Sequence, residues 1–119
     1  MNITTVDFVI LNNASFKASV EFKEDDIPID ISPYTFYLQC RPGYQSSTVY
    51  FQLDSVTPTG GITTDPTAGL VTIEIPYSLT STFTWHDAVY DMIARDPVNG
   101  TQLRVLEGRV YINFGATIV

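Results

Sequence analysis

The sequence predicts an all-β domain, an antiparallel immunoglobulin-like β-sandwich of about seven strands. Three observations lead there. Apolar and polar residues alternate with a period of two in one segment after another. Turn-forming Pro, Gly, Asn and Asp separate those segments at roughly ten-residue spacing. Helical periodicity is confined to one short stretch.

The first strand is expected over about Ile3 to Leu11, ended by Asn12 and Asn13. Beyond it, Phe16, Ala18, Val20 and Phe22 alternate strictly with Lys17, Ser19, Glu21 and Lys23, as a strand with one wet face must. Glu24, Asp25 and Asp26 supply the next turn, and Pro28 and Pro33 bracket a short connector. A third strand is expected from Tyr34 to Arg41, ending before Pro42 and Gly43, and a fourth from about Thr48 to Asp54. The stretch from Thr57 to Gly69 holds Pro58, Gly60, Gly61 and Pro66. It reads as loop, with at most a short extended piece around Ile62.

Val71, Ile73 and Ile75 mark the fifth strand, closed by Pro76. Residues from Tyr77 to Phe83 carry the helical signal, a single turn. The sixth strand is expected from about Asp87 to Arg95 and the seventh from Thr101 to Phe114, joined across Pro97, Asn99 and Gly100. The last strand contains a parity break. Leu103 and Val105 share one phase, whereas Leu106, Gly108, Val110, Ile112 and Phe114 share the other. One extra residue restores a single buried face, so a β-bulge is expected near Val105 and Leu106. Ala88, Tyr90 and Met92 match the spacing around a tyrosine corner, which predicts a buried Tyr90 with its hydroxyl bonded to nearby backbone. A jelly roll or an incomplete barrel would satisfy the same strand pattern.

Length and charge set the function classes. A chain of 119 residues suits one domain, residues 1–119, in which folding buries roughly two-thirds of the unfolded surface. Apolar residues form 45 % of the chain and charged ones 16 %, which leaves a neutral surface rich in Thr, Ser, Asn and Tyr. The formal net charge is −7, and Lys17, Lys23, Arg41, Arg95, Arg104 and Arg109 are scattered, so no direct nucleic-acid binding is expected. No basic and apolar leader opens the chain, and no apolar run is long enough for a bilayer, so no membrane role is expected. The sequons at Asn2, Asn13 and Asn99 are therefore read as chance matches.

Chemistry-bearing residues do not converge. His86 precedes Asp87 directly, and neighbours in a strand face opposite ways, so Asp87 is not placed to orient the imidazole. Glu24, Asp25, Asp26 and Asp30 lack the alternating ligands and glycine of a calcium loop and read as a solvated turn. The single cysteine, Cys40, shares the inward phase of Phe36 and Leu38 and has no partner for a disulfide. Gly60 and Gly61 do not join a strand to a helix, so no phosphate cradle is expected. The expectation is no enzyme, with no catalytic residue, no cofactor and no metal.

One asymmetry points to a contact surface. If the second and fifth strands share a sheet, its outer face carries Lys17, Ser19, Glu21, Lys23, Thr72 and Glu74. The other sheet then holds the third, sixth and seventh strands, with Tyr37, Val89, Ile93 and Tyr111 outward. An apolar strip of these four residues is the expected protein interface.

Several segments, in order, resemble a family of small structural proteins of tailed bacteriophages. They are Asn13 to Phe16, Pro28 to Thr35, Leu38 to Arg41, Gly60 to Thr63, Ala68 to Pro76, Val89 to Asp91, Gly100 with Thr101, and Arg104 to Val110. The N-terminal domain of upper baseplate proteins in phages of Gram-positive hosts is similar. The resemblance implies a non-enzymatic virion component, a tail, baseplate or fibre-attachment adaptor. It implies partners among other virion proteins and copies of the chain itself, in a symmetric multi-copy assembly. Pro33 stands where the family has Gly, and no fibre region follows the domain up to Val119. The expectation is thus a stand-alone adaptor located in the virion, at the tail or baseplate rather than the capsid surface. The alternatives are a capsid decoration (cement) protein and, from another class, a carbohydrate-binding module presenting Trp85 and tyrosines.

Overall fold

Alternating apolar residues from two sheets interlock in the computed structural model, which describes residues 1–117. The elements are β1 (Thr4–Thr5), β2 (Phe8–Leu11), β3 (Phe16–Glu21), β4 (Lys23–Glu24), β5 (Ile27–Pro28), β6 (Thr35–Arg41), β7 (Phe51–Asp54), β8 (Ile62–Asp65), β9 (Leu70–Ile75), α1 (Tyr77–Thr80), β10 (Asp87–Asp96) and β11 (Thr101–Asn113). The chain is all-β. One sheet runs β11, β10, β6, β7, with β1 and β2 both along the free side of β11. The other runs β3, β9, β8, and β4 with β5 form a separate hairpin. The expected division of strands between the sheets is therefore found.

Period-two burial explains the layers. Phe36, Leu38 and Cys40 of β6 face Val71, Ile73 and Ile75 of β9 across the core, together with Tyr90, Met92, Val110 and Ile10. Each turn has its own chemistry. Asp25 and Asp26 both adopt positive φ, 52° and 63°, the geometry of a two-residue hairpin, and short polar side chains tolerate it. At the β10–β11 turn the Asp96 carboxylate accepts from the Val98 and Asn99 N–H groups at 3.0 and 3.2 Å, and from Asn99 Nδ2 at 2.9 Å. Helix α1 is tied to the turn after β2: Thr80 Oγ1 donates to the Ala14 carbonyl at 2.8 Å, and Asn12 Nδ2 to the Thr80 carbonyl at 2.9 Å.

The bulge lies where the parity break places it. Met92 pairs with Leu106 but Ile93 with Arg104, so Val105 is the extra residue, and both Val105 and Leu106 are fully buried.

Four expectations about the strands need correction, the first being a single strand from Ile3 to Leu11, which is interrupted at Val6 and Asp7 and forms β1 and β2. The larger sheet is mixed rather than antiparallel, because β1 and β2 run parallel to β11. The chain enters along the bare edge of its own last strand and then turns at Asn13, φ 66°, into the other sheet. The fourth strand starts at Phe51, and residues 42–50 form a loop instead, held by Arg41, whose guanidinium donates to the Ser46 carbonyl at 2.6 Å. The extended piece around Ile62 is a full edge strand, β8, in register with β9 from Ile62 opposite Ile73 to Asp65 opposite Leu70.

Tyr90 is buried at 1 % exposure, as expected, but it makes no local corner. Its hydroxyl donates to the carbonyl of Val6, 84 residues away, in the break between β1 and β2.

Candidate interaction surface

His86, Cys40 and Asp30 each make a structural contact or are buried in the core. The His86 ring meets Phe114 edge-on at 5.2 Å, while Asp87 faces Arg109 at 3.7 Å. Burial pushes the Cys40 thiol up to about 12, so thiolate is negligible near neutrality. Glu24, Asp25 and Asp26 are exposed in their hairpin, and the Asp30 carboxylate accepts the Ser32 N–H at 2.9 Å. Among the described residues, no three His, Cys, Asp or Glu side chains are grouped to hold a metal ion.

Trp85 is half-buried. Its ring stacks on Tyr50 at 4.6 Å and 4°, and packs against Phe83 at 4.9 Å. A sugar platform presents a free aromatic face, whereas this ring is already used in intramolecular stacking.

A depression of about 620 Å³ lies beside Phe16, Leu53, Asp54, Thr57, Gly61 and Glu74. Its two carboxylates have partners: Asp54 accepts the Thr57 N–H at 2.8 Å, and Glu74 lies 3.5 Å from Lys17.

The four residues expected to form one apolar strip are divided. Tyr37 and Ile93 are register partners and both half-buried. Val89 is only 7 % exposed, between its register partners Arg41 and Arg109 and in one small depression with Tyr44. Tyr111, 40 % exposed, lies at the far end, opposite Asp87 and Val9. Charge separates them: Arg104 pairs with Asp91 at 3.3 Å and approaches Glu107 at 3.9 Å. The cause is visible in β10, whose outward residues are Asp87, Val89, Asp91, Ile93 and Arg95, so apolar positions alternate with charged ones along the strand.

A different apolar cluster lies at the margin of the same sheet. Val9 and Leu11 of β2 are 57 % and 53 % exposed, and Val9 is the register partner of Tyr111. Phe114 is exposed just beyond the end of β11. The signal was present in the sequence: Phe8 to Leu11 are four consecutive apolar residues, and a strand with one core face must place two of them outward. Phe8 and Ile10 take the inward positions.

Comparison with models of known protein families gives no match, and neither does comparison with curated proteins.

Proposed function

We propose that the chain is a non-enzymatic structural module that acts through protein–protein contacts, as an adaptor in the tail, baseplate or fibre-attachment region of a tailed phage. One observation carries the contact role. The margin formed by Val9, Leu11 and Tyr111 is apolar and exposed, beside a sheet face whose other apolar positions are half-buried or buried and interrupted by ion pairs. Interface cores favour aromatic and aliphatic groups and exclude charge, so this margin has the right composition. The virion role is supported by the resemblance of the ordered segments from Asn13 to Val110. The division of strands, with β6, β10 and β11 in one sheet and β3, β9 and β8 in the other, supports the immunoglobulin-like relation on which that resemblance depends. Trp85, stacked on Tyr50, favours assembly over sugar binding.

The test is to purify particles of a phage that encodes the chain and to locate it by mass spectrometry and a density map. The expected result is many copies at fixed stoichiometry, at the tail or baseplate. Particles that lack the chain would overturn the proposal; copies spread over the capsid lattice would identify a decoration protein instead.

A further inference from the structure

An edge strand exposes a row of unpaired backbone groups, and proteins usually blunt it with charge, proline or a covering segment. In the two larger sheets, three edge strands carry charge. Strand β3 has Lys17 and Glu21, β7 ends in Asp54, and β8 ends in Asp65. The remaining edge, on the free side of β11, is made of β1 and β2; β2 has neither charge nor proline along Phe8 to Leu11, and its outward side chains, Val9 and Leu11, are apolar and exposed.

The hydrogen-bond phase shows which backbone groups this edge offers. The Val6 N–H donates to Glu107 and the Asn12 N–H to Asn113, both at 2.9 Å. Alternate residues of a parallel strand bond the same neighbour, so even-numbered residues face β11. Val9 and Leu11 therefore turn their N–H groups outward. The Leu11 carbonyl accepts from the Ala14 N–H at 3.2 Å, whereas the Val9 carbonyl faces the open edge.

We propose that the β2 edge pairs antiparallel with the β2 edge of a second copy, about a two-fold axis at Val9, joining two larger sheets into one. This rests on the assembly reading above and names the partner. The Val9 N–H and C=O, both on the open edge, are self-complementary about that axis, and the absence of charge along β2 permits the partner. The chain carries −7 and repels itself over most of its surface, yet a two-fold contact opposes each residue with its own kind or a close neighbour. An edge without charge meets no like charge there. With Val9 opposite the partner's Val9, the two exchange N–H and C=O bonds, and Leu11 comes opposite the partner's Asp7. The two Asp7 residues are then four positions apart along the ladder, about 14 Å at strand spacing, beyond a Debye length at physiological salt. The Asp7 carboxylate is also already engaged by the Arg109 N–H at 2.8 Å. The outer faces of both copies merge Val9, Leu11 and Tyr111 into one apolar patch.

Sedimentation and backbone-amide exchange of the full chain, from micromolar to millimolar concentration, test the pairing. A reversible monomer–dimer equilibrium is expected, with Val9 and Leu11 amides gaining protection as dimer forms while amides of β7 and β8 do not. Val9→Lys should abolish the dimer and leave the β spectrum unchanged, because this side chain is exposed. A parent that stays monomeric at millimolar concentration overturns the proposal, as does a dimer that survives Val9→Lys or protects another edge. If the parent is monomeric but loses entry into particles on Val9→Lys, self-pairing is wrong and a different protein occupies the edge, with the assembly role intact. A dimer that never enters particles overturns the assembly role alone.

Discussion

The hydroxyl of Tyr90, on a central strand, donates to the carbonyl of Val6, in the break between the first two strands. This bond reorganises the seam between chain start and chain end. In an unbroken parallel ladder, Val6 sits opposite Gly108, and its carbonyl would accept from the Arg109 N–H. Here that carbonyl goes to Tyr90, and the Asp7 carboxylate takes the Arg109 N–H at 2.8 Å. Phe8 stacks on the Tyr90 ring at 4.7 Å, so the same tyrosine anchors both sides of the break.

Tyr90→Phe keeps the ring and removes one donor, leaving the Val6 carbonyl without it in a half-buried site. The expected loss is about 1–3 kcal/mol of unfolding free energy, the usual range for an acceptor left unmet. Denaturant titration measures it, and a variant as stable as the parent contradicts the anchoring role. Amides near β1 and β2 should exchange faster than those of β9 and β10.

Gly108 is required by the same seam. A Cβ there would clash with the Val6 carbonyl oxygen, a contact with backbone that only displacement of the first strands can relieve. Gly108→Ala should therefore destabilise by about 1–3 kcal/mol, as overpacking does. Combined with Tyr90→Phe, the two losses should fall short of additivity, since both release the same segment. Full additivity in a double-mutant cycle would show that they act on separate structures.

Much of this architecture is legible in the sequence where the cause is local. The strict alternation from Phe16 to Phe22 identifies β3, and the phase change between Val105 and Leu106 locates the bulge without reference to Met92 and Ile93 opposite. Long-range causes are not legible. The piece around Ile62 looks like loop because Gly and Pro crowd it, and only its ladder to β9 makes it a strand. The acceptor of Tyr90 is 84 residues distant. Val89 is apolar and outward by parity, but it is buried beside Arg41 of the next strand and Tyr44 of the loop after it, and period-two parity carries no sign of that cover; long arginine stems cover apolar surface well. The apolar strip failed for a simpler reason: charged residues at alternate outward positions of β10 interrupt it.

Acid stability should register Asp96. Hydrogen bonds from Asn99, first from its backbone N–H and then from its side chain, with a smaller one from Val98, hold this carboxyl below its ordinary value of 3.8. A depressed folded value means that the stabilisation is fully present above the unfolded pKa and is lost as pH falls through the folded one. Asp96→Asn keeps an acceptor but removes the titration. The variant should lose less stability than the parent between pH 4 and pH 2, about the window below an unperturbed carboxyl. Equal acid slopes would mean that the β10–β11 turn opens before the carboxyl protonates.

Cys40 offers a probe of global opening. Its thiol is buried and pushed up to about 12, so native protein at pH 8 should resist alkylation. Labelling should appear only with unfolding and should track it across a denaturant series. Rapid labelling in native buffer would place a local opening at β6, next to β7.

Two double variants decide which part of the outer sheet face makes the contact. Tyr37→Asp with Ile93→Asp alters the half-buried pair at one end, and Leu11→Asp with Tyr111→Asp alters the exposed margin at the other. Val89 is unsuitable for such a test, because an aspartate there would be buried between Arg41 and Arg109 and would disturb their existing contacts as well as any interface. Both doubles should keep the parental β spectrum, since their side chains retain access to water. Central aromatic and aliphatic anchors commonly carry about 2 kcal/mol or more each, so the margin double should be excluded from assembled particles. The Tyr37 and Ile93 double should assemble at close to the parental level. If the outcomes are reversed, the contact lies on the β6–β10 pair first expected from the sequence, and the exposed margin of β2 has another role.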